Sequence, residues 1–387
     1  MRIQRLKWTA LAMILAIGSI IFSSCKSPTP EPALNPSGFH IMRGVNLSHW
    51  LSQDFGWAPK YTWVQEHDIR FIDSIGYDHV RIPVDEHELW DEDGVPIQEA
   101  FYHLRKCLEW CQKYNLRAIV DLHILRSHHF NAANEGGENT LWEDPAAQDA
   151  FINMWLELSD TLRDYPVDMV AYEFLNEVVA PEHDDWNKLL NKVIAAVRER
   201  EPDRVFVVGP NMWKIASNLQ YLDLPENDRN IILSFHIYSP LAFTHYQAEW
   251  TPAGSFNGRV NYPGQIISDE DFEKYIDTTR PEIAHAFSDA RDYFDKQRLI
   301  DVFISGIEFA KSKNLQLFCG EFGCLPTVLR EDRLRYYSDI IDAFEEHNIA
   351  WCNWEYKGDF GIYHFDREKQ ISMDPDSELI ETLLKYR

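Results

Sequence analysis

The sequence predicts an α/β protein built as a (β/α)8 TIM barrel with a long insertion after the sixth strand. Short apolar β-type runs alternate with amphipathic stretches eight times, over a length of roughly 350 residues, and such a barrel typically needs about 250 residues plus insertions. Runs such as Ala118-Ile119-Val120 are apolar on both faces, as parallel strands covered by helices are. A doubly wound open sheet is the alternative, but no Gly-rich phosphate turn follows an early strand.

The strands are expected where β-type apolar runs occur, and the helices where apolar residues recur at three- and four-residue spacing. The strand runs lie at 41–46, 79–83, 117–123, 169–176, 204–209, 231–238, 315–321 and 350–355. The helical patterns lie at about 62–75, 97–114, 145–165, 185–200, 212–219, 295–313, 330–347 and 376–386.

The segment 239–294 separates the sixth strand from its helix and is rich in aromatic residues. A connection of this length is unusual unless it is functional or locally structured. In a barrel it would lie above the C-terminal face, where active sites form. A loop folded on itself for stability is the other interpretation.

The charge balance limits the class of partner. The chain has 387 residues, with 62 Asp and Glu against 37 Lys and Arg, which gives a net charge of −25. Because phosphate binding needs clustered Lys and Arg, neither nucleic acid nor anionic lipid is an expected partner. The 13 Trp residues suit stacking on a neutral ligand, although core packing will account for most of them.

The amino terminus has the pattern of an export signal. Three basic residues within the first seven precede an apolar run over 8–22, and Ser23-Ser24-Cys25 follows. A basic start, a short apolar run and small residues describe a secretory signal peptide, and the run is too short for a convincing membrane span. Cys25 directly after two serines resembles the bacterial lipoprotein signal, in which the cysteine is lipidated, so the resemblance implies Cys25 as the lipidation site. Ordinary secretion and an uncleaved anchor are the alternatives.

These features predict three parts of the chain. Residues 1–24 are the signal peptide, 25–38 form a Pro- and Ser-rich tether, and 39–387 form the barrel domain that carries the site. We expect a monomer in the bacterial cell envelope, periplasmic or on the cell surface, with a lipid anchor as its only contact with the membrane.

Polar residues follow seven of the predicted strands, at the end where a barrel places its catalytic groups. One such residue alone is weak evidence, but seven strand ends with hydrogen-bonding or titratable groups are hard to explain by stability. The motifs are RGVN (43–46), VRIPV (80–84), DLH (121–123), EFLNE (173–177), FHIY (235–238), GEFG (320–323) and WEY (354–356).

Two carboxylates, Glu177 and Glu321, end the fourth and seventh strands, which face each other across the top of a barrel. Two carboxyl groups about 5–5.5 Å apart define the geometry of retaining glycosidases, whose chemistry needs the two pKa values to differ. Arg81 and Tyr238 can keep Glu321 ionised, and burial can keep Glu177 protonated. Trp354 offers a plane for a sugar ring. A metal-assisted hydrolase that uses His123, His236 and the acids is the alternative.

As a set, these motifs resemble glycoside hydrolase family 5, the cellulase-type retaining enzymes. The resemblance runs from Arg43 to about Glu355, which is most of the mature chain. It implies that Glu177 is the general acid/base and Glu321 the nucleophile. The implied substrate-binding and orienting residues are Arg81, His123, Asn176, His236, Tyr238 and Trp354.

The resemblance implies hydrolysis of a β-linked polysaccharide or oligosaccharide, in the manner of an endo-β-1,4-glucanase, without a metal or other cofactor. An exo-acting enzyme, a mannan- or xyloglucan-specific member and a surface glycan-binding lipoprotein without catalysis are the alternatives. The loop His123–Asn131 departs from the Pro- and Gly-containing version of many members, which leaves the substrate open. Trp50, Trp57 and Trp142 lie on predicted top loops, where each either stacks on a further sugar or packs the base of a loop.

Overall fold

The computed structural model describes residues 35–57, 59–131, 138–366 and 371–387. Its strands, in chain order, are β1 (Arg43–Asn46), β2 (His79–Asp85), β3 (Arg117–Ile124), β4 (Val170–Glu173), β5 (Phe206–Val208), β6 (Ile231–Ile237), β7 (Gly264–Gln265), β8 (Tyr293–Phe294), β9 (Gln316–Phe322), β10 (Ala350–Asn353), β11 (Tyr363–Asp366) and β12 (Ile371–Pro375). The α-helices are α1 (Glu66–Ile75), α2 (Glu86–Leu89), α3 (Gln98–Lys113), α4 (Pro145–Leu162), α5 (His183–Arg198), α6 (Leu241–Thr244), α7 (Asp269–Tyr275), α8 (Pro281–Ala286), α9 (Lys296–Lys313), α10 (Arg330–His347) and α11 (Ser377–Leu383).

Eight of the strands, β1 to β6 with β9 and β10, close into a parallel barrel in chain order. The predicted fold class is confirmed, and the open-sheet alternative is wrong. The predicted strand runs each contain or overlap one of these strands. Two further antiparallel ribbons, β7 with β8 and β11 with β12, lie outside the barrel.

Successive strand residues point alternately into the barrel and toward the helices. The inward positions at the amino ends of the strands are apolar, and Phe39 and Ile41, which precede β1, pack among them. Farther along the same strands the inward positions become charged, with Asp121 on β3 and Glu173 on β4 both fully buried. The barrel therefore has an apolar lower layer and an ionic upper layer, which forms the floor of the site.

The helices that cover the barrel begin and end where the sequence chemistry places them. The Asp144 side chain accepts from the amide of Ala146 and Pro145 opens α4, while Asp295 caps α9 through the amide of Arg298. Asn314 and Asn348 end α9 and α10 in the left-handed conformation.

The helix predicted over 212–219 is wrong. The chain forms only a 3-10 helix, Ala216–Tyr221, because Met212, Trp213 and Lys214 have φ of 64°, 52° and 53°. Three successive left-handed residues cannot belong to a right-handed helix. The apolar spacing of this segment, which favoured a helix, instead reflects burial of a loop.

The segment between β6 and α9 contains six short elements, one of them a 3-10 helix, and folds around its own aromatic residues. The rings of Phe256 and Phe287 lie 6.2 Å apart, and Tyr262 packs edge-on against Tyr336 of α10, with ring centroids 5.5 Å apart. Ala248 joins an apolar cluster with Trp354 and Phe360. The segment is thus structured, and one part of it packs against the predicted sugar-binding tryptophan.

The predicted signal peptide and the tether up to residue 34 lie outside the described residues. Of the last four tether residues, Ser37 hydrogen-bonds through its Oγ to Asn230 at 2.8 Å, at the amino-terminal end of the barrel. In the part of the chain that is described, no helix has the length and apolar character needed to cross a membrane.

Candidate active site

Arg81 of β2 is the centre of the site. Its guanidinium is fully buried and contacts three carboxylates: Glu173 at 2.6 Å, Glu321 at 2.7 Å and Asp121 at 2.9 Å. It also donates to the side-chain oxygens of two asparagines, Asn46 at 3.0 Å and Asn176 at 2.8 Å. Burial opposes the charge, but the three carboxylates raise the pKa of Arg81 well above its ordinary value. The planar fork of an arginine is what allows one cation to bind so many oxygens.

The two predicted catalytic glutamates lie beside each other. A carboxylate oxygen of Glu177, one of Glu321 and a ring nitrogen of His236 all lie within 4.8 Å of one another. This separation fits the short spacing of retaining glycosidases and is far below the roughly 6.5–9.5 Å of inverting enzymes.

The surroundings of the two glutamates differ in charge. Burial, followed by repulsion from Glu321, raises the pKa of Glu177 well above its ordinary value. Burial also raises the pKa of Glu321, but Arg81 opposes this shift directly. Because the guanidinium contacts only Glu321 of the pair, the negative charge belongs on Glu321 and the proton on Glu177.

His236 of β6 contacts the glutamate that should carry the proton. Its Nδ1 lies 2.8 Å from Glu177 Oε1 and 3.7 Å from Glu321 Oε2. Burial, together with the positive charges of Lys214 and Arg81, lowers the pKa of His236 well below its ordinary value. The imidazole is therefore neutral, and it adds no positive charge that would draw the proton from Glu177.

Tyr238 contacts the other glutamate, through a hydroxyl that donates to Glu321 Oε2 at 3.0 Å. Burial and the nearby Glu321 charge raise the pKa of Tyr238 well above its ordinary value, so the hydroxyl keeps its proton. Glu321 thus accepts from Arg81 on one oxygen and from Tyr238 on the other. These two contacts hold the carboxylate and stabilise its ionised form.

Asn176, His123 and Trp354 complete the predicted set. Asn176 Nδ2 lies 3.3 Å from His123 Nε2, whose Nδ1 is 2.7 Å from Asp121. The rings of His123 and Trp354 are nearly parallel, with centroids 5.7 Å apart. Burial lowers the pKa of His123 to about 3, so this ring too is neutral. The structure therefore brings all eight predicted residues together around one point.

Trp354 is followed by a buried acid, Glu355, which belongs to the WEY motif but had no predicted role. Glu355 is fully buried, accepts from the Ser48 hydroxyl and lies 2.9 Å from His49 Nε2. Gln53 Nε2 lies 3.4 Å from His123 Nε2, and its backbone oxygen lies 3.0 Å from His49 Nδ1. The loop after β1 therefore reaches the same point as Trp354.

Two charged residues beneath the site were also absent from the set predicted from the sequence. Glu173 and Lys214 are fully buried and paired with each other, and Glu173 also binds Arg81. An acid within an otherwise apolar strand was the available signal for Glu173, because a buried charge requires a partner. Lys214 had no comparable signal, since it lies in the segment predicted as a helix.

The three loop tryptophans have different surroundings. Trp50 is fully buried in the core and is not available to a ligand. Trp142 is half-buried and packs edge-on against His128 and Trp186. The ring of Trp57 lies 4.4 Å from that of His49, which in turn packs against Trp354. On its other side Trp57 lies 5.3 Å from Phe55, which is 61% exposed. These rings form an aromatic series that leads from Trp354 to the solvent.

Glu177, His236 and Glu321 are also a possible donor set for a metal ion. A divalent cation there would lie next to the Arg81 guanidinium, which already occupies a Glu321 oxygen at 2.7 Å. It would also require Glu177 to give up its proton, against the raised pKa of that carboxyl. The charges around the described donor residues therefore favour a protonated Glu177 over a bound metal ion.

Comparison with known proteins gives consistent results. Residues 34–359 match the family model "Cellulase (glycosyl hydrolase family 5)". Endoglucanase C of Acetivibrio thermocellus is 33% identical over 337 residues, which are 86% of this chain and 95% of that protein. Cellodextrinase A of Ruminococcus flavefaciens is 30% identical over 312 residues, 80% of this chain and 84% of that protein.

Solved structures support the fold. The crystal structure of Thermotoga maritima Cel5A with cellobiose superposes with a TM-score of 0.69 at 22% identity, and covers 90% of this chain and 98% of that one. A crystal structure described as a glycoside hydrolase reaches a TM-score of 0.72 at 21% identity. At these identities the likeness establishes the architecture.

Proposed function

Because the chain belongs to glycosyl hydrolase family 5 and is a retaining glycoside hydrolase of the cellulase type, we propose that it is an endo-β-1,4-glucanase in which Glu321 is the nucleophile and Glu177 the general acid/base. The observation that carries the assignment is the pair of glutamates within 4.8 Å, of which only Glu321 is bound by Arg81 and Tyr238. The pair needs no metal or other cofactor for this chemistry.

The first step forms a bond between a Glu321 oxygen and the anomeric carbon as the glycosidic C–O bond breaks. Glu177 gives its proton to the departing oxygen, for which its raised pKa prepares it. In the second step Glu177, now a carboxylate, takes a proton from water while the water oxygen bonds to the anomeric carbon and Glu321 leaves. Two inversions at one carbon give net retention.

The remaining residues act on the substrate. Asn176 is oriented by Arg81 through its Oδ1, which leaves its amide nitrogen to face His123 and the sugar hydroxyl next to the reacting carbon. Trp354 and His123 present parallel rings to the sugar held at the point of cleavage. Trp57 and the exposed Phe55 extend the aromatic surface away from Trp354, as an open cleft for a longer chain requires.

The endoglucanase assignment is tested on soluble cellulose derivatives. We expect the viscosity of carboxymethylcellulose to fall faster than reducing ends accumulate, because cleavage occurs within chains. We expect E321Q and E177Q each to lower kcat roughly 10³-fold or more, since each removes a group that acts only in the transition state. E282Q, at an exposed acid on α8, is the matched control and should keep wild-type activity. Near-wild-type turnover in E321Q or E177Q contradicts the assignment.

We further propose that the enzyme is a bacterial envelope lipoprotein, with lipid on Cys25, residues 1–24 removed and 25–38 as a tether. The basic start, the apolar run and the Ser-Ser-Cys sequence support this. Ser37, near the end of this segment, binds the barrel at its amino-terminal end, opposite the site.

Labelling with a radioactive fatty acid tests the anchor. We expect the wild-type protein to take up label in a bacterial host and to partition into detergent. C25A should lose both properties, whereas C107A, which alters a buried cysteine, should keep them. Equal labelling of wild type and C25A contradicts the proposal.

A further inference from the structure

Lys214 is a fully buried lysine in the ionic layer below the two glutamates. It is the last of the three left-handed residues in the loop after β5. Such a backbone costs free energy at each non-glycine residue and persists only where neighbouring contacts hold it. Here the Trp213 amide donates to Val178 at 3.1 Å, and the Lys214 carbonyl accepts from the His236 amide at 3.0 Å. The strained turn carries the lysine inward, beside the histidine that contacts Glu177.

Gly209, the residue that follows strand β5, leaves room for the lysine. A Cβ on Gly209 would lie 2.5 Å from Lys214 Cε and 2.6 Å from Cδ and Cγ, closer than real carbon atoms approach. The whole aliphatic stem therefore runs over a backbone without a side chain. Backbone strain and the absence of a side chain at 209 both serve to place one ammonium group.

The ammonium group reaches Glu173, which also binds Arg81 Nε at 2.6 Å. Arg81 is thus shared among Glu173, Asp121 and Glu321. In the described part of this network three carboxylates face one guanidinium, and Lys214 adds a second cation, which binds the Glu173 oxygen that Arg81 does not contact. Because Glu173 is paired with Lys214, it competes less with the other carboxylates for the positive charge of Arg81.

We propose that Lys214 is a positioning residue of the hydrolase. It neutralises Glu173, so that the Arg81 guanidinium remains bound to Glu321 and Asp121. Lys214 touches neither the substrate nor the reacting atoms. It acts through Glu173 and Arg81 on the nucleophile, and through space on the acid/base pair. The inference rests on the proposed roles of Glu177 and Glu321.

The groups around the ammonium come from every strand of the upper layer that borders it. They are Arg81 of β2, Asp121 and His123 of β3, Glu173 of β4, Glu177 after β4, His236 of β6 and Glu321 of β9. Burial raises the pKa of Asp121 and Glu177 and lowers that of His123 and His236; the positive charge of Lys214 opposes the first shift and adds to the second. Loss of Lys214 would therefore raise the pKa of Glu177 directly, and that of Glu321 through the weaker hold of Arg81 on this carboxylate.

The test is the pH profile of kcat/KM, measured on a soluble β-1,4-glucan with the full-length enzyme. K214M keeps the length of the stem and removes the charge, so we expect both limbs to move up by about one pH unit. E173Q removes the matching negative charge, so both limbs should move down. E173Q/K214M removes both charges and should return to the wild-type profile, with KM near wild type in each variant.

A lysine that served only to fill space would lower stability without moving the limbs. An unshifted profile in folded K214M, or a double variant no closer to wild type than the singles, therefore overturns the proposal. If K214M does not fold, E173Q and E173Q/K214M decide, since coincident profiles for these two contradict a role for the Lys214 charge. A wild-type enzyme inactive on all β-1,4-glucans refutes the proposed function instead.

Discussion

At the scale of single residues, the site depends on which buried side chains remain charged and which are neutral. Arg81 keeps its charge because three carboxylates surround it, while His123 and His236 are neutral because burial and nearby cations oppose theirs. Glu177 and Glu321 have the same side chain, and their contacts alone separate their roles. In the proposed mechanism, the guanidinium bound to only one of the two neighbouring carboxyls distinguishes the nucleophile from the acid.

R81K tests this dependence on arginine. A lysine supplies a point charge without the fork, so it cannot bind Glu173, Glu321 and Asp121 together. We expect kcat to fall roughly 10²–10³-fold and the acidic limb of the pH profile to move to higher pH, because the nucleophile loses its main cation. R163K, at an exposed arginine on the surface, should behave as wild type. An unmoved acidic limb in R81K contradicts this account.

The sequence motifs located the eight residues that lie together at the site, because the order of strand ends in a barrel is fixed by topology. The supporting groups were harder to find. Glu173 could be suspected from a lone charge in strand β4, whereas His49 and Gln53 reach the site through a loop with φ of 57° and 51°, which composition does not reveal. The predicted roles of the eight site residues are consistent with their contacts.

At the scale of elements, apolar runs predicted the barrel strands well because both faces of a covered parallel strand are buried. Helices with regular apolar spacing, such as α9 and α10, were found within a residue or so. The segment 212–219 failed because burial of a loop and burial of a helix face leave similar patterns. What distinguishes them is the left-handed backbone required to place Lys214.

The loop after β1 is held at its base by Asp85, which ends β2. One carboxylate oxygen accepts from the Gln53 amide at 2.8 Å, and burial raises the pKa of this acid to about 7. In the unfolded chain the same carboxyl titrates near pH 4. The folded state therefore binds the proton more tightly, and its stability falls as pH rises from about 4 through about 7.

D85N should remove this pH dependence, since an amide oxygen can still accept from Gln53 but never ionises. We expect thermal unfolding of D85N to match wild type near pH 4 and to occur at higher temperature near pH 8. D203N, at an exposed aspartate, serves as the control and should follow wild type. Parallel melting curves for D85N and wild type across this range would show that Asp85 is not protonated in the fold.

At the scale of the whole molecule, one barrel positions a site whose floor, walls and access come from different parts of the chain. The floor is the ionic layer on β2, β3, β4 and the loop after β5. One wall combines the loop after β1 with Trp354, and the segment after β6 packs on the far side of that wall through Ala248. The acidic surface of the chain, with a net charge of −25, is compatible with a neutral glycan.

The most direct test of the account is to trap the covalent intermediate. An activated 2-deoxy-2-fluoro-β-cellobioside slows both steps but carries a leaving group that needs no proton, so the glycosyl-enzyme should accumulate. We predict that mass spectrometry of the digested protein finds one added disaccharide, on the peptide that contains Glu321, and that E177Q still forms the adduct while E321Q does not. A label on Glu177, or no label together with products of inverted anomeric configuration, would contradict the assignment.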